Sequence, residues 1–230
     1  MIINHKYRFI YVKTKKTAST SVEIALSRYC DANDILTPIG GRDEPKRATL
    51  GYQGPANYLM PRQQWTREDL FRHYVLREEI VAYWNHMPAL AIRDRIGQGI
   101  FDSYFKFCFE RNPWDRAISA YYWENRRSKQ LPDFEVYLET LHKDNNLSNW
   151  PKYAIDGRIA VDKVYLYEDL PGVLDQVVER LGLPSALELP DAKREVRKDR
   201  RPYQEFYSPK ARDYVARICA REIEAFGYKF

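Results

Sequence analysis

Cysteine is scarce in this 230-residue chain: Cys30, Cys108 and Cys219 are the full complement, and no two share a C-x-x-C spacing. An odd, widely separated set argues against a disulfide framework and fits a reducing compartment, so a cytoplasmic location is expected. Histidine is nearly as sparse. His5, His73, His86 and His142 are scattered, which leaves no ligand constellation for zinc or iron, and no metal is expected. No apolar run approaches the roughly 18 residues that a membrane-crossing helix needs. With a strand-like start, no signal peptide is expected. Internal repeats, low-complexity tracts and RNA-binding signatures are missing, and so are the glycines of a G-x-x-x-x-G-K-[ST] phosphate loop. Nucleic acid is therefore not an expected partner.

What remains is an ordinary globular composition, with 44% hydrophobic and 30% charged residues, long enough to bury a substantial core in one domain over 1–230. The formal charge of +5 favours anionic ligands without requiring a polyanion. Eighteen tyrosines serve equally as packing or as stacking surfaces.

Strand-like runs occur at 7–12, 104–109 and 161–167, and each is followed by a helical pattern, at 20–29, 113–127 and 171–181. Alternating strands and helices predict an α/β fold, a central mainly parallel sheet flanked by helices. Ligands of such sheets gather at the carboxyl ends of the strands. Gly182 fits the end of the third helix, and a further helix is expected from Pro209 to Phe226 with Ser208 as its cap. Residues 31–100, punctuated by Gly40-Gly41, Gly51 and Met60-Pro61, read as an insertion over the sheet edge.

Two strand ends carry the chemistry. After Arg8-Phe9-Ile10-Tyr11-Val12 the chain enters Lys13-Thr14-Lys15-Lys16-Thr17-Ala18-Ser19-Thr20-Ser21, dense in lysines and hydroxyls, and a helix begins at once. Thr20 and Glu23 have the spacing of a capping box. Backbone N–H groups and the helix dipole converge at such a junction and make an anion site. Further on, Asn112 caps a helix with Pro113 at its first position, and Trp114, Ala117, Ile118, Tyr121 and Tyr122 share one face. Arg111 lies at the strand end with Ser119 eight residues later. On the residues alone, Arg111 pairs with Asp115 or Glu110, or it binds an anion.

The string Lys16-Thr17-Ala18-Ser19-Thr20-Ser21 resembles the 5′-phosphosulfate loop of sulfotransferases, above all the version in glycan 2-O-sulfotransferases. Arg111 and Ser119 are similar in spacing to that family's 3′-phosphate motif. The resemblance implies a fold related to P-loop nucleotide kinases. It also implies transfer of a sulfuryl group from 3′-phosphoadenosine 5′-phosphosulfate (PAPS) to a hydroxyl, leaving adenosine 3′,5′-bisphosphate (PAP). A carbohydrate acceptor is expected by the same analogy.

Within the resemblance, Lys16 is the cation at the leaving oxygen, and Lys13 and Lys15 share its anion-binding role. Thr17, Ala18, Ser19, Thr20, Ser21, Arg111 and Ser119 hold the donor. His86 is the expected base, with His73 in reserve; the family's His-x-His pair is replaced here by His86-Met87-Pro88. The basic run from Lys193 to Arg201 is either a solvated loop or a cover for the 3′-phosphate, with Arg200 and Arg201 as the candidates. Tyr58, Trp65, Trp84, Arg62, Arg67 and Arg72 are candidates for the acceptor side. Three alternatives stand beside sulfuryl transfer: a nucleotide-kinase-like phosphotransferase, a non-catalytic nucleotide-binding protein, and an RNA-binding module.

Overall fold

The structure, a computed structural model, describes residues 1–41, 43–190, 199 and 201–230. Seven strands are present among them: β1 (Ile2–Asn4), β2 (Phe9–Tyr11), β3 (Ile35–Leu36), β4 (Phe105–Glu110), a small hairpin of β5 (Ala154–Ile155) and β6 (Arg158–Ile159), and β7 (Lys163–Leu166). The central sheet has the order β3-β1-β2-β4-β7. β2, β4 and β7 run parallel, with Tyr11 beside Phe107 and Glu110 beside Leu166, whereas β1 pairs antiparallel with both β2 and β3. The expected α/β fold is present, with parallel central strands and antiparallel additions at one edge.

Strand alternation sorts side chains to two faces. Phe9, Tyr11, Phe107 and Phe109 pack with Val22 and Leu26 of the helix Ser19–Ser27 and with Val173 and Val177 of the helix Leu170–Leu181. Ile10, Val12 and Cys108 face the other way, onto Tyr83, Met87, Ile92 and Tyr153. A third cluster joins Trp114, Ala117 and Tyr121 of the helix Pro113–Glu124 to Leu138, Leu141 and Val215. Asn112 caps that helix as expected, its Oδ1 accepting from Trp114 N–H at 3.1 Å, and Gly182 ends Leu170–Leu181 at φ 62°.

Several expectations are corrected. Thr20 and Glu23 form no capping box: the helix starts at Ser19 behind Ala18, and no side chain caps it. Glu23 is fully buried and lies 2.7 Å from Lys13 Nζ. Burial alone would raise its pKa, but the Lys13 ammonium and the Met1 amine hold it down at about 2. The C-terminal helix is two, Pro209–Ile218 and Ala220–Phe226, broken at Cys219. The break lets the buried Cys219 Sγ reach the Leu147 carbonyl at 3.4 Å and the Arg116 guanidinium at 3.6 Å. The stretch 31–100 also contributes to the sheet itself, through β3.

Candidate active site

The loop after β2 is held from below. Thr14 donates its hydroxyl to the Phe109 carbonyl at 2.5 Å, which leaves Thr17 Oγ1 as the donor in their 2.9 Å contact. Lys16 and Ala18 then adopt φ of 61° and 54°. Left-handed backbone costs a residue with a side chain about 1–2 kcal/mol, which is why phosphate loops usually put glycine there. Alternating handedness turns successive N–H groups toward one point, a nest for an anion. Two left-handed residues flanking Thr17, the kind of backbone from which such nests are made, occur here without glycine. Lys16 Nζ rests 4.9 Å from the centre of the Trp123 ring.

Arg111 leaves the end of β4 and reaches across to this loop. Its Nη1 donates to the Lys16 carbonyl at 3.2 Å, its Nε and Nη2 to Asp115 Oδ2 at 2.9 and 2.6 Å, and its guanidinium covers the Tyr167 ring at 4.3 Å. Of the two readings of Arg111, the pairing with Asp115 is present, and the residue also lines the cleft. Lys16, Ala18, Ser19, Thr20, Ser21, His86, Arg111 and Ser119 all line one cleft of about 520 Å³. That volume lies within the range of small-molecule and cofactor sites.

His86 stands between the buried Tyr83 and Met87, at φ 59°. Its Nδ1 lies 3.2 Å from the Lys13 carbonyl. A carbonyl only accepts, so Nδ1 carries the proton and the Nε2 lone pair is left for an incoming hydroxyl. Burial, and after it the Lys13 ammonium, push the imidazole pKa down to about 3, so His86 is neutral at working pH.

Other expected residues fall elsewhere. Thr17 is buried and its hydroxyl serves Thr14, so that hydroxyl is no donor to the cleft. Lys13, 1% exposed and paired with Glu23, is not an anion ligand either. Lys15 does line the cleft, its ammonium bonded to Asn146 Oδ1. His73 packs on Trp65 at 4.8 Å between ring centres, outside the cleft lining. Arg72 pairs with Glu78 at 2.8 Å, and Arg62 covers Trp65. Tyr58, Trp65, Trp84 and Arg67 do not line the cleft. Arg201 is held by Asp199 at 2.7 Å, again off the lining, and Arg200 lies outside the described residues.

Trp123 and Tyr167 were missed from sequence although both line the cleft. Tyr167 directly follows β7, and its place at a carboxyl strand end was a usable signal. Among the described residues, no three His, Cys, Asp or Glu side chains stand together as metal ligands, and no helix is long and apolar enough to cross a membrane.

The α/β sheet with parallel central strands thus opens one cleft at the carboxyl ends of β2 and β4, lined by Lys15, Lys16, Arg111 and the hydroxyls of Ser19, Thr20, Ser21 and Ser119. The sulfotransferase family model matches residues 1–229, and the chain belongs to the sulfotransferase family, enzymes that transfer a sulfuryl group. An uncharacterized protein of Archaeoglobus fulgidus is 36% identical over 109 residues, covering 45% of this chain and 88% of that protein. Among solved structures, mouse sulfotransferase SULT7A1 complexed with PAP superposes with a TM-score of 0.50 at 14% identity, over 94% of this chain and 84% of that one. That likeness is one of fold.

Proposed function

We propose that the donor is PAPS, that the acceptor is a carbohydrate hydroxyl, and that residues 1–230 form one cytoplasmic sulfotransferase domain with 31–100 on the acceptor side. A single observation carries the donor reading: the Lys16 loop and the Arg111–Ser119 pair, far apart in sequence, open onto one cleft. PAPS bears phosphate on both sides of its ribose, so it needs two anion sites where a simple phosphate needs one. The relative crystallised with PAP supports the same reading. The glycan acceptor is supported by the similarity of Lys16–Ser21 to the glycan 2-O-sulfotransferase loop. Three free cysteines fit a reducing compartment.

In this reading the acceptor oxygen attacks sulfur while its proton passes to His86 Nε2. The bond from sulfur to the bridging oxygen breaks, and its electron pair remains on the 5′-phosphate of PAP. Lys16 and the convergent N–H groups of the loop meet the charge that appears there. Arg111 and Ser119 hold the 3′-phosphate.

Thermal-shift comparison of PAP with ATP, ADP and AMP, with and without magnesium, tests the donor. A ligand at about 100 times its Kd stabilises the native state by roughly 2.7 kcal/mol, or about 5–11 °C in Tm for this size. PAP is expected to give that shift without metal. A larger shift with magnesium and ATP, or none with any nucleotide, would refute the reading. Transfer assays against glycans, lipids and small hydroxyl compounds test the acceptor.

Arg111→Ala should weaken PAP first, because a phosphate ion pair made in the ground state contributes to donor affinity. Ser119→Ala should act in the same direction with a smaller effect, a neutral hydrogen bond being weaker than a charge-assisted one. Unchanged PAP affinity by calorimetry in Arg111→Ala would remove the 3′-phosphate role.

A further inference from the structure

Behind the two anion-binding elements lies a buried polar cluster that connects them. Glu110, the last residue of β4, is fully buried, and its carboxylate accepts from four donors. Oε1 takes the Arg111 backbone N–H at 2.9 Å, Arg116 Nη1 at 2.5 Å and Asn149 Nδ2 at 3.1 Å. Oε2 takes the Tyr153 hydroxyl at 2.9 Å. Asn149, 1% exposed, turns the rest of its amide to the Lys16 loop. Its Oδ1 accepts from the Lys15 N–H at 3.0 Å, and Nδ2 donates to the Lys15 carbonyl at 3.1 Å. The Asn149 backbone N–H is in turn anchored on Glu222 Oε1 at 3.1 Å.

Both backbone groups of Lys15 thus end on one side-chain amide, immediately before the left-handed Lys16. An unfavourable backbone state persists where its surroundings hold it on several sides. Arg111 holds the Lys16 carbonyl from one side, and Asn149 holds the residue before it from the other. Only an amide meets the demand. Aspartate keeps an acceptor for the Lys15 N–H but offers no donor and sets a second carboxylate against Glu110.

We propose that Asn149 is a positioning residue for sulfuryl transfer: through Lys15 it fixes the backbone that aims Lys16, and through Glu110 it ties that loop to the strand end that presents Arg111. The inference rests on the reading of the cleft as a PAPS site, with the 5′-phosphate on the Lys16 loop.

The test compares wild type with Asn149→Ala by calorimetry against PAP, adenosine 5′-monophosphate and adenosine 3′-monophosphate, together with Tm and turnover. Loss of two hydrogen bonds that align the loop should weaken PAP and the 5′-monophosphate about tenfold. Misaligning Lys16 should lower kcat about 10–10²-fold. Affinity for the 3′-monophosphate should be unchanged, since that ligand does not use the loop. If Asn149→Ala does not accumulate as folded protein, Asn149→Asp is measured in its place, with the same pattern expected. Equal losses for all three nucleotides would make the role merely structural and overturn the proposal. Unchanged PAP affinity and kcat would overturn it too, while leaving the donor reading intact. A wild type that binds none of the nucleotides would overturn both.

Discussion

Lys16→Ala is expected to lower kcat by about 10²–10³-fold while PAP affinity falls much less. Charge on the bridging oxygen appears only as the sulfur–oxygen bond breaks, so a cation placed there stabilises the transition state more than the bound donor. The ammonium lies at the cleft over Trp123, 4.9 Å from the ring centre. The substitution leaves the backbone problem unchanged, because alanine at φ 61° meets the same steric cost as lysine. Folded protein with an unaltered Tm is therefore expected, and single-turnover kinetics beside PAP calorimetry reads the split. Turnover within a few-fold of wild type would end the assignment.

His86→Ala should remove transfer by about 10²–10⁴-fold and leave PAP binding intact, since a general base touches the acceptor and not the donor. The wild-type pH profile gives a second reading. Without ligand, burial first and the Lys13 ammonium second hold the imidazole at about 3, far below the ordinary 6.5. A bound bisphosphate adds negative charge to the same cleft and should raise that pKa, making the imidazole a better proton acceptor in the complex. An NMR titration of His86 with and without PAP should show this upward move. Stability carries the matching sign. The folded pKa lies below the unfolded one, so the unfolded chain binds the extra proton, and stability falls as pH drops from about 6.5 toward 3. His86→Ala should flatten that part of the acid limb. Full activity in His86→Ala, with loss in His73→Ala, would transfer the role to His73, although His73 lies against Trp65 outside the cleft lining.

Much of the frame was legible because its signals are local. The alternation of Phe105, Phe107 and Phe109 marked β4, and Asn112-Pro113 marked the helix that carries Ser119. Gly182 and Ser208 marked helix ends for the same reason: capping is decided within a few residues. The antiparallel strands β1 and β3, three and two residues long, carry too little periodicity to be read, and β3 pairs with a strand more than thirty residues away. Thr20 and Glu23 had the spacing of a cap, yet burial of Glu23 against Lys13 prevailed over it.

The three parallel strands with the helices that follow them, and the choice of Lys16, His86, Arg111 and Ser119, which the fold brings to one cleft, followed from the sequence by itself, through spacing, capping and family resemblance. The conformation of the Lys16 loop did not, because lysine and alanine at left-handed φ run against their own preferences and only surrounding contacts hold them there. Nor did the fate of its hydroxyls and lysines: Thr17 turns in to Thr14 and Lys13 to Glu23, while Lys15 stays at the cleft. Asn149 sits 134 residues from Lys15 in the chain, and no local pattern encodes a contact of that span. Periodicity and caps act over a few residues, whereas pairing of buried polar groups is settled only when distant segments close on one another and each donor must find an acceptor away from water.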